Sequence, residues 1–445
     1  MPIFRYRQVV DWSPGEERRA ERNTILSTCC GAMGEVPFTD AALIILYANM
    51  LGANDCLTMI TTSLQPLTVG LLAIPASFIA MRSGSCQRTI MSTCLVSLAF
   101  LTLVVTAPFF GRLAIPVLLA ALAGLAVSST VHISAWFPLL STFLKSERRS
   151  MYLGKMRFCW QFSTAVLLTG LGFYIGRNPP IGKLQVVMLV CMIVFSGRFW
   201  LVGGVPTFRS GKAEAPTQTL GFSDGLKTAL ANKPLTGYSV YLFILNLAAY
   251  GTIPLVTLYL KKSLRAPDNV IVFLSAVVLC GMLTGSFCAG PIIKKFGIRT
   301  TFLCVHAVYA ATNFLFFFMS KGILPDHWLF AAIGAILFLY SVTFACASIS
   351  SSTEMMHLAA SGNKVMAMAF CNSFYYGGSG LSRLLSSLIL GSGALAAYLS
   401  LGGMTFSHYQ TLFLVYGVGV VFAASLLVVV PAIFPKGEYF YSPEK

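Results

Sequence analysis

Charge is what this sequence has least of. Only 10% of its 445 residues are Asp, Glu, Lys or Arg, and 56% are hydrophobic, against roughly 25% charged in an ordinary soluble domain. A soluble chain of this length has no place to bury so many apolar side chains, so the excess faces lipid. Acids are scarcer still, 15 against 31 Lys and Arg, which leaves a net charge of +16. That balance does not read as nucleic-acid binding. The cations gather in alternate loops between apolar runs, and no basic patch interleaved with aromatics occurs. The 12 cysteines include no C-x-x-C and no Cys/His set at metal-ligand spacing, so neither a metal site nor a cofactor is expected. Most, such as Cys94, Cys191, Cys280 and Cys346, sit inside apolar runs as small packing residues. Also missing are a Ser/His dyad, paired aspartates and H-E-x-x-H at workable depth, which argues against an intramembrane enzyme. The one long internal loop, residues 207–234, leaves no room for the extra domain of a receptor or scaffold.

What is there is a succession of apolar runs, each long enough to cross a bilayer. They lie near Thr24–Leu51, Leu57–Ala80, Thr89–Phe109, Leu113–Leu140, Phe158–Ile175 and Leu184–Val205. A second series follows near Leu235–Leu260, Asn269–Ala289, Thr300–Met319, Trp328–Thr353, Val365–Leu390 and Tyr409–Phe434. The chain therefore divides into a tail (1–23), six spans (24–206), a linker (207–234), six more spans (235–434) and a second tail (435–445). The arginines before the first span precede a polar, uncleavable segment, so they do not mark a signal peptide. On this layout 22 Lys and Arg fall on one side, seven on the other, and Arg198 and Arg383 within spans. The asymmetry puts both termini in the cytoplasm, with Lys261, Lys262 and Arg265 as a dissenting outer cluster. Within the linker, Gly221–Leu230 alternates as a short amphipathic helix for the membrane surface.

One turn fixes the direction of its neighbours: Gly290-Pro-Ile-Ile-Lys-Lys-Phe-Gly-Ile-Arg299, squeezed between two spans with three cations and no acid. Its residues Gly290, Lys294, Gly297 and Arg299 resemble the loop signature of the major facilitator superfamily, in which an aspartate usually stands where this chain has Lys294. A weaker echo at Ser77-Phe-Ile-Ala-Met-Arg-Ser-Gly84, followed by Arg88, occupies the corresponding place in the first half. The segment Lys145-Ser-Glu-Arg-Arg-Ser-Met-Tyr-Leu-Gly154 is similar to the superfamily's turn after the fourth span, with Glu147, Arg148 and Arg149 in the matching places. The resemblance implies an all-α membrane protein, twelve transmembrane helices in two pseudo-symmetric six-helix bundles with a site between them. It implies a monomer in the cell membrane that moves a small organic solute by alternating access. The missing acids put the superfamily's charged loop latch in doubt.

Charge inside a span is the informative event, because a central Asp, Arg or Lys costs roughly 2.5–3.5 kcal/mol on insertion scales. Glu35 and Asp40 lie in the first span, one on each side of Pro37. Five residues are about 500° of helix, so the two share a face only if Pro37 kinks it. Both are candidates for coupling to a proton, against the plainer role of fixing helix packing. Arg383 in the eleventh span cannot shed its proton and needs an acid, carbonyls or an anionic substrate group. Arg198 reads as snorkelling toward the cytoplasmic face. By the resemblance, the fourth and seventh spans also face the cavity. His132 with Trp136, and Asn246 with Tyr250, each one turn apart, are candidates to orient a polar solute, joined by Tyr375 and Tyr376. Import of a polar or anionic metabolite fits Arg383, and efflux of a lipophilic compound fits the aromatic-rich spans.

Overall fold

The computed structural model describes residues 8–9, 13–39, 41–82, 85–144, 149–208, 222–358, 364–395, 398–401 and 404–429. Its helices are α1 (Pro14–Thr39), α2 (Ala41–Met50), α3 (Asp55–Arg82), α4 (Cys86–Thr106), α5 (Ala114–Ser141), α6 (Arg149–Ile175) and α7 (Ile181–Gly203). After the linker come α8 (Phe222–Ala231), α9 (Lys233–Ala249), α10 (Thr252–Lys262), α11 (Asp268–Phe318), α12 (Asp326–Leu358), α13 (Lys364–Ser392) and α14 (His408–Val429). The first span is α1 plus α2, bent by 43°, and the seventh is α9 plus α10, broken at Tyr250–Gly251. The run of 51 residues in α11 is two spans, because Gly297 at φ 77 turns the backbone back on itself. Only glycine adopts that conformation at no steric cost. The eleventh span, α13, is long enough to cross but is not among the apolar spans, since its Ser, Gly and Arg residues dilute its hydropathy. Twelve crossings result, matching the sequence expectation.

One boundary moves. The first helix begins at Pro14 rather than near Thr24, because Ser13 and Glu16 form a reciprocal capping box. Strands also stand outside the bundle: Gln8–Val9 pairs in parallel with Thr207–Phe208, and Tyr398–Leu401 forms a hairpin with Met404–Ser407 before α14. The amphipathic linker helix exists as α8, but it packs against α13 and α9 rather than lying on lipid alone. Asn232 then caps α9 through the Leu235 N–H and donates to the Leu358 carbonyl at 2.9 Å.

The halves repeat one packing plan. The first span lies against the fifth and sixth, as the seventh lies against the eleventh and twelfth; the third lies against the fourth and sixth. In the second half the ninth answers with Tyr309 on Tyr340 of the tenth, ring centroids 4.7 Å apart, and Phe316 on Phe413 of the twelfth at 5.3 Å. Across the halves, α3 runs along α13 and α6 along α11. The α3–α13 seam is tight enough that a Cβ on Gly70 would stand 2.6 Å from the Gly377 Cα. Small residues permit such backbone approach where lipid supplies no hydrophobic drive between helices. Leu71, Phe109 and Val429, each more than 70% exposed, belong to the outward surface that meets lipid.

The end of the bundle opposite the Gly290–Arg299 turn, called the far end below, is where the halves interlock. There α2 meets α10 and α11. Asp55 of α3 accepts from Tyr409 of α14 and pairs with Lys262 at 3.4 Å. Ser387 of α13 donates to the Cys56 carbonyl at 2.8 Å. The Asp268 and Asn269 N–H groups donate to the Arg177 and Gly176 carbonyls at 3.1 and 3.2 Å.

Candidate functional site

A cavity of about 280 Å³ lies between the halves, near the small end of ligand pockets, which run about 300–1,000 Å³. Its walls come from the middle of the crossing helices: Val36 and Thr39 of the first span, Gln65, Pro66 and Val69 of the second, Ile133 of the fourth and Trp160 of the fifth. The second half contributes Tyr250 and Ile253, Val278, Leu279 and Met282, Tyr340 and Phe344, and Tyr376, Ser379 and Arg383. Aromatic and aliphatic faces dominate, with four polar groups set among them: Thr39, Gln65, Ser379 and Arg383.

Arg383 joins the halves at this cavity. Its Nη1 donates to the Thr62 carbonyl of α3 at 2.7 Å, and its Nε to the Tyr250 carbonyl at 3.4 Å. The Tyr250 carbonyl is available because the seventh span breaks there. Gly251 makes the break tight: its N–H donates to Ser382 at 3.1 Å, and a Cβ on it would collide with Tyr416. A neighbouring carbonyl at the break, Ala249, accepts from Tyr340. Carbonyls freed in low dielectric need such partners.

Three of the sequence candidates thus meet at the cavity: Tyr250, Tyr376 and Arg383. Tyr375 stands just behind, edge-on to Tyr250 at 5.4 Å and to Tyr376 at 5.2 Å. Asn246 is buried and donates to the Tyr375 carbonyl at 3.0 Å, so it holds α9 to α13 instead of facing solute. His132 and Trp136 stack 5.6 Å apart in the interior of the first half, with His132 Nδ1 3.5 Å from Thr93 Oγ1. The residue between them that reaches the cavity is Ile133. Gln65, Trp160 and Tyr340 went unnoticed in the sequence, although a lone glutamine beside a proline in mid-span is a visible polar signal.

Glu35 sits one layer behind the cavity wall. Its Oε1 accepts from Ser129 of α5 and from Gln65 Nε2 at 3.4 Å, and its Oε2 pairs with Arg198 at 3.4 Å. Arg198 therefore points into the bundle and does not snorkel. Gly31 makes room for it, since a Cβ there would stand 2.5 Å from Arg198 Nε, and the guanidinium also lies 5.7 Å from the Phe195 ring centre. Four spans of the first half meet at this carboxylate. Buried in the second half is Glu354, 1% exposed, whose Oε1 has no hydrogen-bond partner among the described residues. Asp40, Gly84, Glu147 and Arg148 lie outside the described residues, as does the side chain of Arg149, whose backbone opens α6. Lys294 and Arg299 are exposed on either side of the reversal at Gly297, Gly290 lies inside the helical run of α11 rather than ending it, and Arg88 stands in the first turn of α4, its N–H capped by Ser85. Among the described residues no three His, Cys, Asp or Glu side chains converge as metal ligands.

No curated protein sequence matches the chain significantly. Solved structures share its fold. A variant of the nucleoside transporter NupG superposes with a TM-score of 0.70 at 12% identity, covering 94% of this chain and 99% of that one. A D-xylose-proton symporter gives 0.68 at 11% identity, covering 92% and 96%. A POT family transporter in complex with a thioalcohol-conjugated peptide gives 0.67 at 13% identity, covering 93% and 96%. At such identities the likeness shows the fold alone. The sequence model of the Major Facilitator Superfamily matches residues 24–383, most of the chain. With twelve crossings in two repeated halves around a central cavity, the chain belongs to the major facilitator superfamily and is a multi-pass membrane transporter, not an enzyme.

Proposed function

We propose that the chain carries a small organic solute across the cell membrane by alternating access, as a monomer with both termini and the Gly290–Arg299 turn in the cytoplasm. The observation that carries this reading is the cavity at mid-depth, walled by both halves, with Arg383 at its edge. Its aromatic walls suit an apolar or planar body, and its guanidinium suits one anionic or strongly accepting end. The neighbours' cargoes, a nucleoside, D-xylose and a peptide, are likewise small organic molecules, an analogy of fold only.

The test is saturable uptake into proteoliposomes across a panel of neutral, cationic and monoanionic solutes. Monoanions should lead, and Arg383→Gln should cut their uptake at least about tenfold, the equivalent of one charged hydrogen bond. Uptake of lipophilic cations untouched by Arg383→Gln would overturn the solute class and favour the efflux reading, which the aromatic walls support. Coupling to a proton runs in this reading through Glu35 or Asp40. Gln65 supports the former, because it faces the cavity and reaches the Glu35 carboxylate. A pH gradient should then drive uptake in the native chain and fail to do so once the coupling acid is neutralised.

A further inference from the structure

The far end holds cations that the transport reading leaves unused. Lys261 and Lys262 in the last turn of α10 and Arg265 just beyond it crowd together on the side that is otherwise poor in Lys and Arg. Lys262 answers Asp55, and Lys261 answers Asp268. Arg265 has no ion-pair partner among the described residues, and it is the one described non-glycine residue with positive φ, at 55°. A bulky side chain pays for that conformation in steric strain, which persists only where something around it requires the geometry. Arg177, just beyond α6 in the other half, also has no ion-pair partner among the described residues.

These residues converge. Arg177, Asn178, Lys261, Arg265, Ala266 and Pro267 line one cavity of about 270 Å³. It straddles the seam where the Asp268 N–H donates to the Arg177 carbonyl at 3.1 Å. One cation of the three is balanced by Asp268, and two guanidiniums from opposite halves are not. Next to the seam, Phe173 and Tyr174 are exposed, and Phe173 stands edge-on to Phe273 of α11 at 4.9 Å. Exposed aromatic rings at a helix end mark headgroup depth.

We infer that this cavity binds a phosphate-type oxyanion, bridging Arg177 of the first half to Arg265 of the second and so holding the far end closed. Each guanidinium offers a planar fork that matches two oxygens of a phosphate, and the Asn178 amide adds a donor. The same chemistry arrives either as a phospholipid headgroup or as free inorganic phosphate. The site is separate from the central cavity and does not depend on which solute is carried.

Purified protein stripped of lipid in detergent would be titrated with radiolabelled inorganic phosphate at constant ionic strength. Saturable binding is expected, with affinity falling at least about tenfold for Arg177→Gln and again for Arg265→Gln. The control pair Arg112→Gln with Lys321→Gln, which removes two far-end cations outside the cavity, should leave it unchanged. A second arm compares discs of phosphatidylglycerol and phosphatidylcholine by native mass spectrometry. Anionic lipid retained by the native chain and lost in the arginine variants assigns the headgroup as source; phosphate binding without lipid retention assigns the free anion. If the double glutamine variant does not fold, Arg177→Lys with Arg265→Lys keeps the charge but not the forks and must still weaken binding. Binding of neither ligand, or an equal loss in the Arg112/Lys321 control, overturns the inference.

Discussion

Removing the Glu35 carboxylate should harm the protein more than removing both it and its partner. Glu35→Gln keeps an oxygen for Ser129 and Gln65, but it turns an amide or a neutral oxygen toward Arg198, whose charge then has no counter-ion within the bundle. Breaking a fully buried pair from one side costs roughly 3–5 kcal/mol. Here the side chains are 18% and 11% exposed and 3.4 Å apart, so about 2–3 kcal/mol is the fitting range once solvent screening is allowed for. Adding Arg198→Met removes the stranded charge and should recover all but about 1 kcal/mol, a coupling energy well outside additivity. Gly31→Ala supplies a third route to the same defect, since its methyl group would displace the guanidinium without touching either charge. Thermal unfolding can be followed with a thiol-reactive dye, because Cys29, Cys94 and Cys191 are buried and become reactive only when the first half opens. If a half unfolds as one unit, Glu35→Gln should lower the midpoint by about 4–10 °C. Additive losses in the double variant would refute the pairing argument. The same double variant separates the two roles open to Glu35. Stable protein whose uptake no longer responds to a pH gradient assigns it to coupling, and an unchanged response leaves it a packing acid.

Two further outcomes follow from the contacts between halves. Gly70→Ala places a methyl group against the Gly377 backbone, where no side chain can swing aside, so it should slow uptake while leaving solute affinity within about threefold; unchanged turnover would show that the α3–α13 seam is not a moving contact. Asp55→Asn removes the anion that Lys262 pairs with at the far end and should raise the labelling rate of Cys56 by a membrane-impermeant maleimide; an unaltered rate would show that this ion pair does not keep the end shut.

The layout of the chain was legible because lipid enforces it. Every crossing needs an apolar run and satisfied backbone, so twelve runs lead directly to the architecture. The turn at Gly297 was readable for the same reason: a cationic reversal between spans needs a residue that tolerates positive φ. The start of α1 was missed, although the capping box Ser13-Pro-Gly-Glu16 announces it, because hydropathy alone sees only a polar tail there. The site was harder. Periodicity places His132 and Ile133 on the same helix but cannot say which of the two neighbouring faces meets the cavity, and the histidine proved to pack inward. Arg198 was misread because snorkelling and pairing look identical without knowing that Gly31, on another span, leaves it a berth.

The breaks in the first and seventh spans join these observations. They occupy equivalent places in the two halves and flank the central cavity, which both halves wall. A broken helix in hydrocarbon leaves carbonyls to be satisfied, and at the seventh span Tyr340 and Arg383 satisfy them. The same guanidinium donates across the divide to the Thr62 carbonyl, the innermost rung of a ladder that continues through Ser387 with Cys56 to Asp55 with Lys262. In the proposed cycle, an anionic solute that draws Arg383 toward itself competes with that first rung. Neutral backbone oxygen is a weaker partner for a guanidinium than a carboxylate, so occupancy of the cavity and loosening of the far end become one event. A solute without the anion would fill the apolar walls and leave the rung in place, which is why the reading ties solute class to turnover and not to affinity alone.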